Sequence, residues 1–188
     1  IIYYLGYTAD QMGIIEAVPL LLAMLTAIPI GILINKNKHP YLALASVAVN
    51  VIGLLILFPI KTGDIDVNSL FNLRIWLGIF IVGVGYVGIL QTTKVWTKQL
   101  YPKDAKGQFE GIWILFFVLI PMIGGSLIGQ AVVSSSKASF MDEVSGQMQY
   151  IPNGNIFIVG AAVILLSAIP FIFTAKLHKK RVGEETAQ

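Results

Sequence analysis

Cysteine is absent from this 188-residue chain, which excludes disulfides, thiol chemistry and Cys-ligated metals. Histidine is nearly absent. The two present, His39 and His178, stand far apart and belong to no His-Glu-x-x-His, Gly-x-Ser-x-Gly or phosphate-loop pattern. No catalytic residue and no metal-ligand set is assigned; His39 reads as a turn residue and His178 as part of a basic anchor. Charge is scarce too, at 12% of residues against about 25% in a soluble domain. With 56% hydrophobic residues and a mean hydropathy of +0.78, a soluble fold cannot hide the apolar surface. The abundance of Ile, Leu, Val and aromatics excludes disorder. The opening Ile1-Ile2-Tyr3-Tyr4 has no Met, no basic n-region and no small-residue cleavage site. It reads as a cut through an apolar segment, so the chain is expected to be the C-terminal part of a longer protein.

What is present is apolar sequence in runs of about 20 residues, the length a helix needs to cross a bilayer core of roughly 30 Å. An outer-membrane barrel would show segments of about 10 residues with alternating polarity instead. The fold class is an all-α polytopic membrane protein with five full transmembrane helices and a truncated one. Residues 1–7 read as the tail of the truncated helix. Thr8 and Gln11 have capping-box spacing and open a helix over 9–34, with Pro19 and Pro29 as bends. Pro40 suits a first helical position, and further helices are expected over 41–60, 70–99, 108–134 and 156–178. Polar connectors at 61–71 and 134–155 are the long ones, and 179–188 is a hydrophilic tail.

The net charge of +3 and pI of 9.1 need no nucleic acid, because the basic residues flank the spans and suit a lipid surface. Ten of the 13 basic residues fall in the loop at 35–39, in 94–107 and in 176–188. Lys61, Arg74 and Lys137 fall on the other side, with Asp64, Asp66, Asp142 and Glu143. This bias puts the C-terminus in the cytoplasm, and the protein is expected in the plasma membrane.

Two loops carry a family resemblance. Gly31-Ile32-Leu33-Ile34-Asn35-Lys36-Asn37-Lys38 resembles the Gly-x-Leu-x-Asp-Arg-x-Gly-Arg-Arg turn of the major facilitator superfamily, with Asn35 at the Asp position and Lys36 at the Arg position. Pro102-Lys103-Asp104-Ala105-Lys106-Gly107 through Gly111 resembles the Pro-x-x-x-Arg-Gly-x-x-x-Gly loop before the eleventh helix of that family. Lys106 holds the Arg position. Lys106-Gly107-Gln108-Phe109-Glu110-Gly111 also resembles the Gly-x-Arg-x-Glu-Gly loop of melibiose-carrier-like glycoside–cation symporters, with Gln108 and Phe109 leaving its Arg unmatched. The resemblance implies half of a twelve-helix bundle, from the end of helix seven to helix twelve. It also implies that Lys36, Lys38, Lys106 and Glu110 form a cytoplasmic gate. By spacing alone, Lys106 and Glu110 make an ordinary i, i+4 surface pair.

Polar groups inside spans supply the remaining candidates, since they are costly in lipid unless they face protein or water. Glu16 lies about two turns into its helix and is the candidate for ion coupling. Asn50 and Tyr86 lie near span centres, and Gln91 deeper toward the cytoplasm; these three are candidates for substrate contact, with interhelical hydrogen bonding the other role for Asn50 and Tyr86. Lys94 snorkels, and Trp76 anchors an interface. Gly107-x-x-x-Gly111, Gly125-x-x-x-Gly129 and Gly78, Gly83, Gly85 and Gly88 permit close helix approach. The expected function is secondary active transport of a small-molecule substrate, with no cofactor and with H+ or Na+ as coupling ion. The expected partners are the lipid bilayer and the N-terminal half of the same protein. A membrane receptor or scaffold on the same bundle is the alternative, and an intramembrane lipid-modifying enzyme a third.

Overall fold

The computed structural model describes residues 5–34, 39–61, 65–66, 69–100, 105–136, 138–141, 146 and 148–185. Its elements are α1 (Ala9–Leu25), α2 (Ala27–Ile34), α3 (His39–Leu57), α4 (Leu73–Leu100), α5 (Lys106–Ile114), α6 (Ile120–Ser134) and α7 (Asn155–Glu185), with strands β1 (Ser139–Met141) and β2 (Met148–Tyr150). Five helical stretches are long and apolar enough to cross a membrane: Ala9–Ile34, His39–Leu57, Leu73–Lys98, Lys106–Ser134 and Asn155–Lys176. The protein is an integral membrane helix bundle.

The start of α1 follows the capping chemistry. Thr8 Oγ1 accepts from Gln11 N at 3.3 Å, while Gln11 Oε1 accepts from Thr8 N at 2.9 Å, completing a capping box. The helix carries through Pro19 but breaks at Thr26. Pro29 explains the break, because it has no N–H to give the carbonyl four residues back and its ring crowds that carbonyl. In the fourth span, Pro121 imposes the same loss on Phe117. There the chain widens to a π-helical segment, Leu115–Leu119, with Ile120 N–H donating to the Leu115 carbonyl five residues back. The last helix begins at Asn155 and runs to Glu185, past residue 178 and through the start of the segment read as a tail.

Glycine sets the packing of α3 on α4. A methyl group at Gly85 would lie 2.5 Å from Asn50 N, and one at Gly53 would lie 2.6 Å from Val82 N. Backbones this close need the missing side chain. A second face of α4 meets α1 at Gly83, beside Ala23 and Leu20, and α7 lies along α3. At the end opposite Ile34 and His39, Leu5, Tyr7, Met12, Ile15, Leu57, Ile60 and Ile75 form a buried apolar cluster. We call that the acidic end and the other the basic end. Burial, with the nearby negative charge of Asp66 adding to it, holds the Tyr7 phenol above its ordinary pKa of 10.0. Tyr7 therefore stays a donor, to the Ser69 carbonyl at 3.4 Å.

The connector at 134–155 contains an element that its polar composition hides. Ser139 pairs with Tyr150 and Met141 with Met148 in an antiparallel hairpin. Gly146, at φ +65°, takes the left-handed conformation that glycine tolerates without strain. In contrast with the α3–α4 seam, α5 and α6 bury no residue. A methyl group added at Gly107, Gly111, Gly125 or Gly129 would meet nothing within 4 Å, so neither Gly-x-x-x-Gly pair seats another described helix at that distance.

Candidate functional site

The polar residues of the basic end converge because of helical spacing. Gln91, Lys94, Val95 and Lys98 follow an i, i+3, i+4, i+7 pattern and share one face of α4. Glu110, Trp113 and Phe117 do the same across α5 and the π-helical segment. Lys98 Nζ lies 3.9 Å from Glu110 Oε1, tying α4 to α5 across the mouth of the bundle. Both side chains are about half exposed, so the pair contributes roughly 0–1 kcal/mol at most. One turn deeper, Lys94 Nζ sits 5.4 Å from the centroid of the Trp113 ring, within cation–π range. Trp113 stacks in turn on Phe117, with centroids 5.1 Å apart.

Against the other side of this α4 face lies α2. A cleft of about 370 Å³ opens there, lined by Gly31, Ile34, Gln91, Lys94 and Val95. Gln91 Oε1 is buried and accepts no hydrogen bond among the described residues, and Trp113 Nε1 is buried without an acceptor among them. Buried polar atoms left this way are exceptions that call for an explanation.

The candidates named from the sequence are not gathered in one place. Glu110 pairs with Lys98 rather than with Lys106, which is exposed on the first turn of α5. Lys36 and Lys38 lie outside the described residues. Asn50 is 3% exposed, and its Nδ2 donates to the Val82 carbonyl at 3.0 Å. Its Nδ2 is thus engaged between α3 and α4, while its Oδ1 is buried without a hydrogen-bond partner among the described residues. Tyr86 is 58% exposed on α4. Glu16 is exposed, turned about 100° from buried Ile15. Gly31 lies level with Gln91 in the cleft, which puts Glu16 roughly 22 Å from it along the axis at 1.5 Å per residue. Glu16 and the basic-end cluster are therefore separate features.

Sequence reasoning misses the bridges from Lys98 to Glu110 and from Lys94 to Trp113. Their spacing is readable, but the pairing of two helix faces is not. His39, which reads as a turn residue, is instead 2% exposed at the start of α3. Thr92 is fully buried, and its hydroxyl has no partner among the described residues. Among those residues, no group of three His, Asp or Glu side chains is placed to hold a metal ion.

No curated protein matches the chain, and no solved structure does. The family model for the Major Facilitator Superfamily matches residues 1–188. With five membrane-crossing helices in an α-helical bundle and a match along its whole length, the chain belongs to the Major Facilitator Superfamily, a family of transporters.

Proposed function

We propose that this protein is a secondary active transporter that moves a small solute across the plasma membrane by alternating access, driven by a proton or sodium gradient. The carrying observation is the family match over residues 1–188. In this reading the chain is the C-terminal half of the transporter and rocks against an N-terminal half of the same protein, with the solute bound between them. The basic end faces the cytoplasm, as does the C-terminus. Grouping with melibiose-carrier-like symporters is supported by the resemblance of Lys106–Gly111 to their loop.

The cytoplasmic gate then comprises Lys36, Lys38, Lys106 and Glu110, with Lys98 as the partner of Glu110. That pair joins α4 to α5, and an exposed contact of this strength can break and re-form during a cycle. Tyr86 and Gln91 are the substrate contacts from this half, and Asn50 holds the seam behind them.

Glu16 carries the coupling in this reading. A carboxylate on a membrane helix whose surroundings alternate between wet and dry can exchange a proton or bind a cation. The test is transport by the purified intact protein in proteoliposomes, with a solute identified by thermal-shift screening. Glu16→Gln should abolish gradient-driven accumulation and leave solute exchange largely intact. Uphill accumulation by the mutant would place coupling elsewhere.

A further inference from the structure

Lys94 is a membrane-helix cation whose described neighbour is an aromatic ring. Trp113 lies seven residues into its span, roughly 10 Å from Lys106 at 1.5 Å per residue. Lys94 itself stands one helical turn from Lys98, whose ammonium pairs with Glu110. Among the described residues no carboxylate lies within 4 Å of Lys94. The ring takes one side of the ammonium and leaves N–H donors for another group. Gln91, which lines the same cleft as Lys94, has a buried acceptor, Oε1, without a partner among the described residues, and the Trp113 indole Nε1, outside that lining, is likewise buried without one. The remaining cleft wall is Gly31, Ile34 and Val95, which offers only apolar contact. Its volume of about 370 Å³ is at the small end of the range for ligand pockets.

We propose that this cleft binds a small organic anion, with Lys94 as counter-cation, Gln91 accepting a hydrogen bond from a donor next to the anionic group, and the apolar wall holding the carbon body. One lysine matches one negative charge. An acceptor one turn away on the same face matches a hydroxyl or similar donor near that charge. The small wall excludes bulky solutes. The proposal rests on the transporter reading in one respect: the anion is the solute carried. An anionic lipid headgroup has the same charge chemistry, and the experiment separates the two sources.

The probe is mandelate, which carries a carboxylate, an adjacent hydroxyl and an apolar ring. Mandelamide is its neutral control. Binding to the purified intact protein is read as thermal shift and as the change in Trp113 fluorescence, taken as the difference between wild type and Trp113→Phe. Mandelate should bind saturably and mandelamide at least about tenfold more weakly, as expected for a lost hydrogen bond to a charged group. Lys94→Gln should weaken mandelate by a similar factor, and Lys94→Arg should restore most of it. Equal binding of acid and amide, or undiminished binding by a folded Lys94→Gln, would overturn the proposal. The same titration is run in liposomes of phosphatidylcholine alone and with added phosphatidylglycerol. Loss of the mandelate response only when phosphatidylglycerol is present would assign the cleft to a lipid headgroup and overturn the solute. If mandelate binds but no solute is transported, the transporter reading fails and the anion site stands. If a screened neutral solute is transported equally by Lys94→Gln, the anion proposal fails and the transporter reading stands.

Discussion

Asn50 shows how far a single residue can be read. Its amide, near the middle of an apolar span, announces a polar requirement, because a side chain of this kind in lipid is costly without a partner. The sequence does not say which partner, since a helical wheel gives the face of one helix and not the identity of the next. In the structure the partner is the Val82 carbonyl, with Gly85 against the Asn50 backbone. Asn50→Ala should therefore destabilise the bundle by about 0.6–1.7 kcal/mol, the range for a hydrogen bond between membrane helices, measured by unfolding in detergent mixtures. Solute affinity should change little, because the amide is buried behind the α3–α4 seam. A large loss of affinity with unchanged stability would move Asn50 into the binding site. Lys94, for which the sequence suggests snorkelling, is exposed and has its Nζ 5.4 Å from the Trp113 ring centroid; that neighbour, on another helix, is not readable from its own span.

Glycine and proline divide the elements into two kinds. Along α4, Gly78, Gly83, Gly85 and Gly88 all abut another helix, whereas Gly125 on α6 has open space beside it. Gly85→Ala should thus cost about 1–3 kcal/mol through overpacking. Gly125→Ala should be neutral or stabilising by up to about 1 kcal/mol, from helix propensity alone. Both are measurable by the same unfolding assay, and equal effects at the two positions would contradict this packing. The helices, their caps and their glycine-rich seams are legible in the sequence because spacing and capping are local properties. The break at Thr26 is foreshadowed by Pro29, but whether a proline bends, breaks or widens a helix depends on what surrounds it. Pro19 and Pro170 are carried within helices, Pro29 accompanies a break, and Pro121 follows a π-helical segment. The hairpin 139–141/148–150 is not legible, because strands of three residues are too short to show an alternating pattern.

At the scale of the whole molecule the asymmetry of charge and the path of the chain make one joint claim. The described spans alternate in direction, with Lys94, Lys98 and Lys106 at one end and Asp66 at the other. Ten of 13 basic residues belong to the first end, and lysine and arginine in short loops set orientation where acidic residues contribute little. The chain has no native cysteine, so single-cysteine variants of it start without background from this segment. In intact cells, a cysteine at Lys103 or Lys179 should react with an impermeant maleimide only after permeabilisation. One at Asp66 or Glu143 should react from outside. Uniform reversal of the pattern would leave the fold intact but invert the gate, placing the Lys98–Glu110 pair and the Lys94 cleft on the outer surface. A mixed pattern, with two positions from one end labelled from opposite sides, contradicts the order of spans itself. Lys94, Lys98 and Glu110 share the basic end, so this experiment also fixes the side on which the proposed anion site and gate would open: the cytoplasmic side, if Lys103 is protected in intact cells.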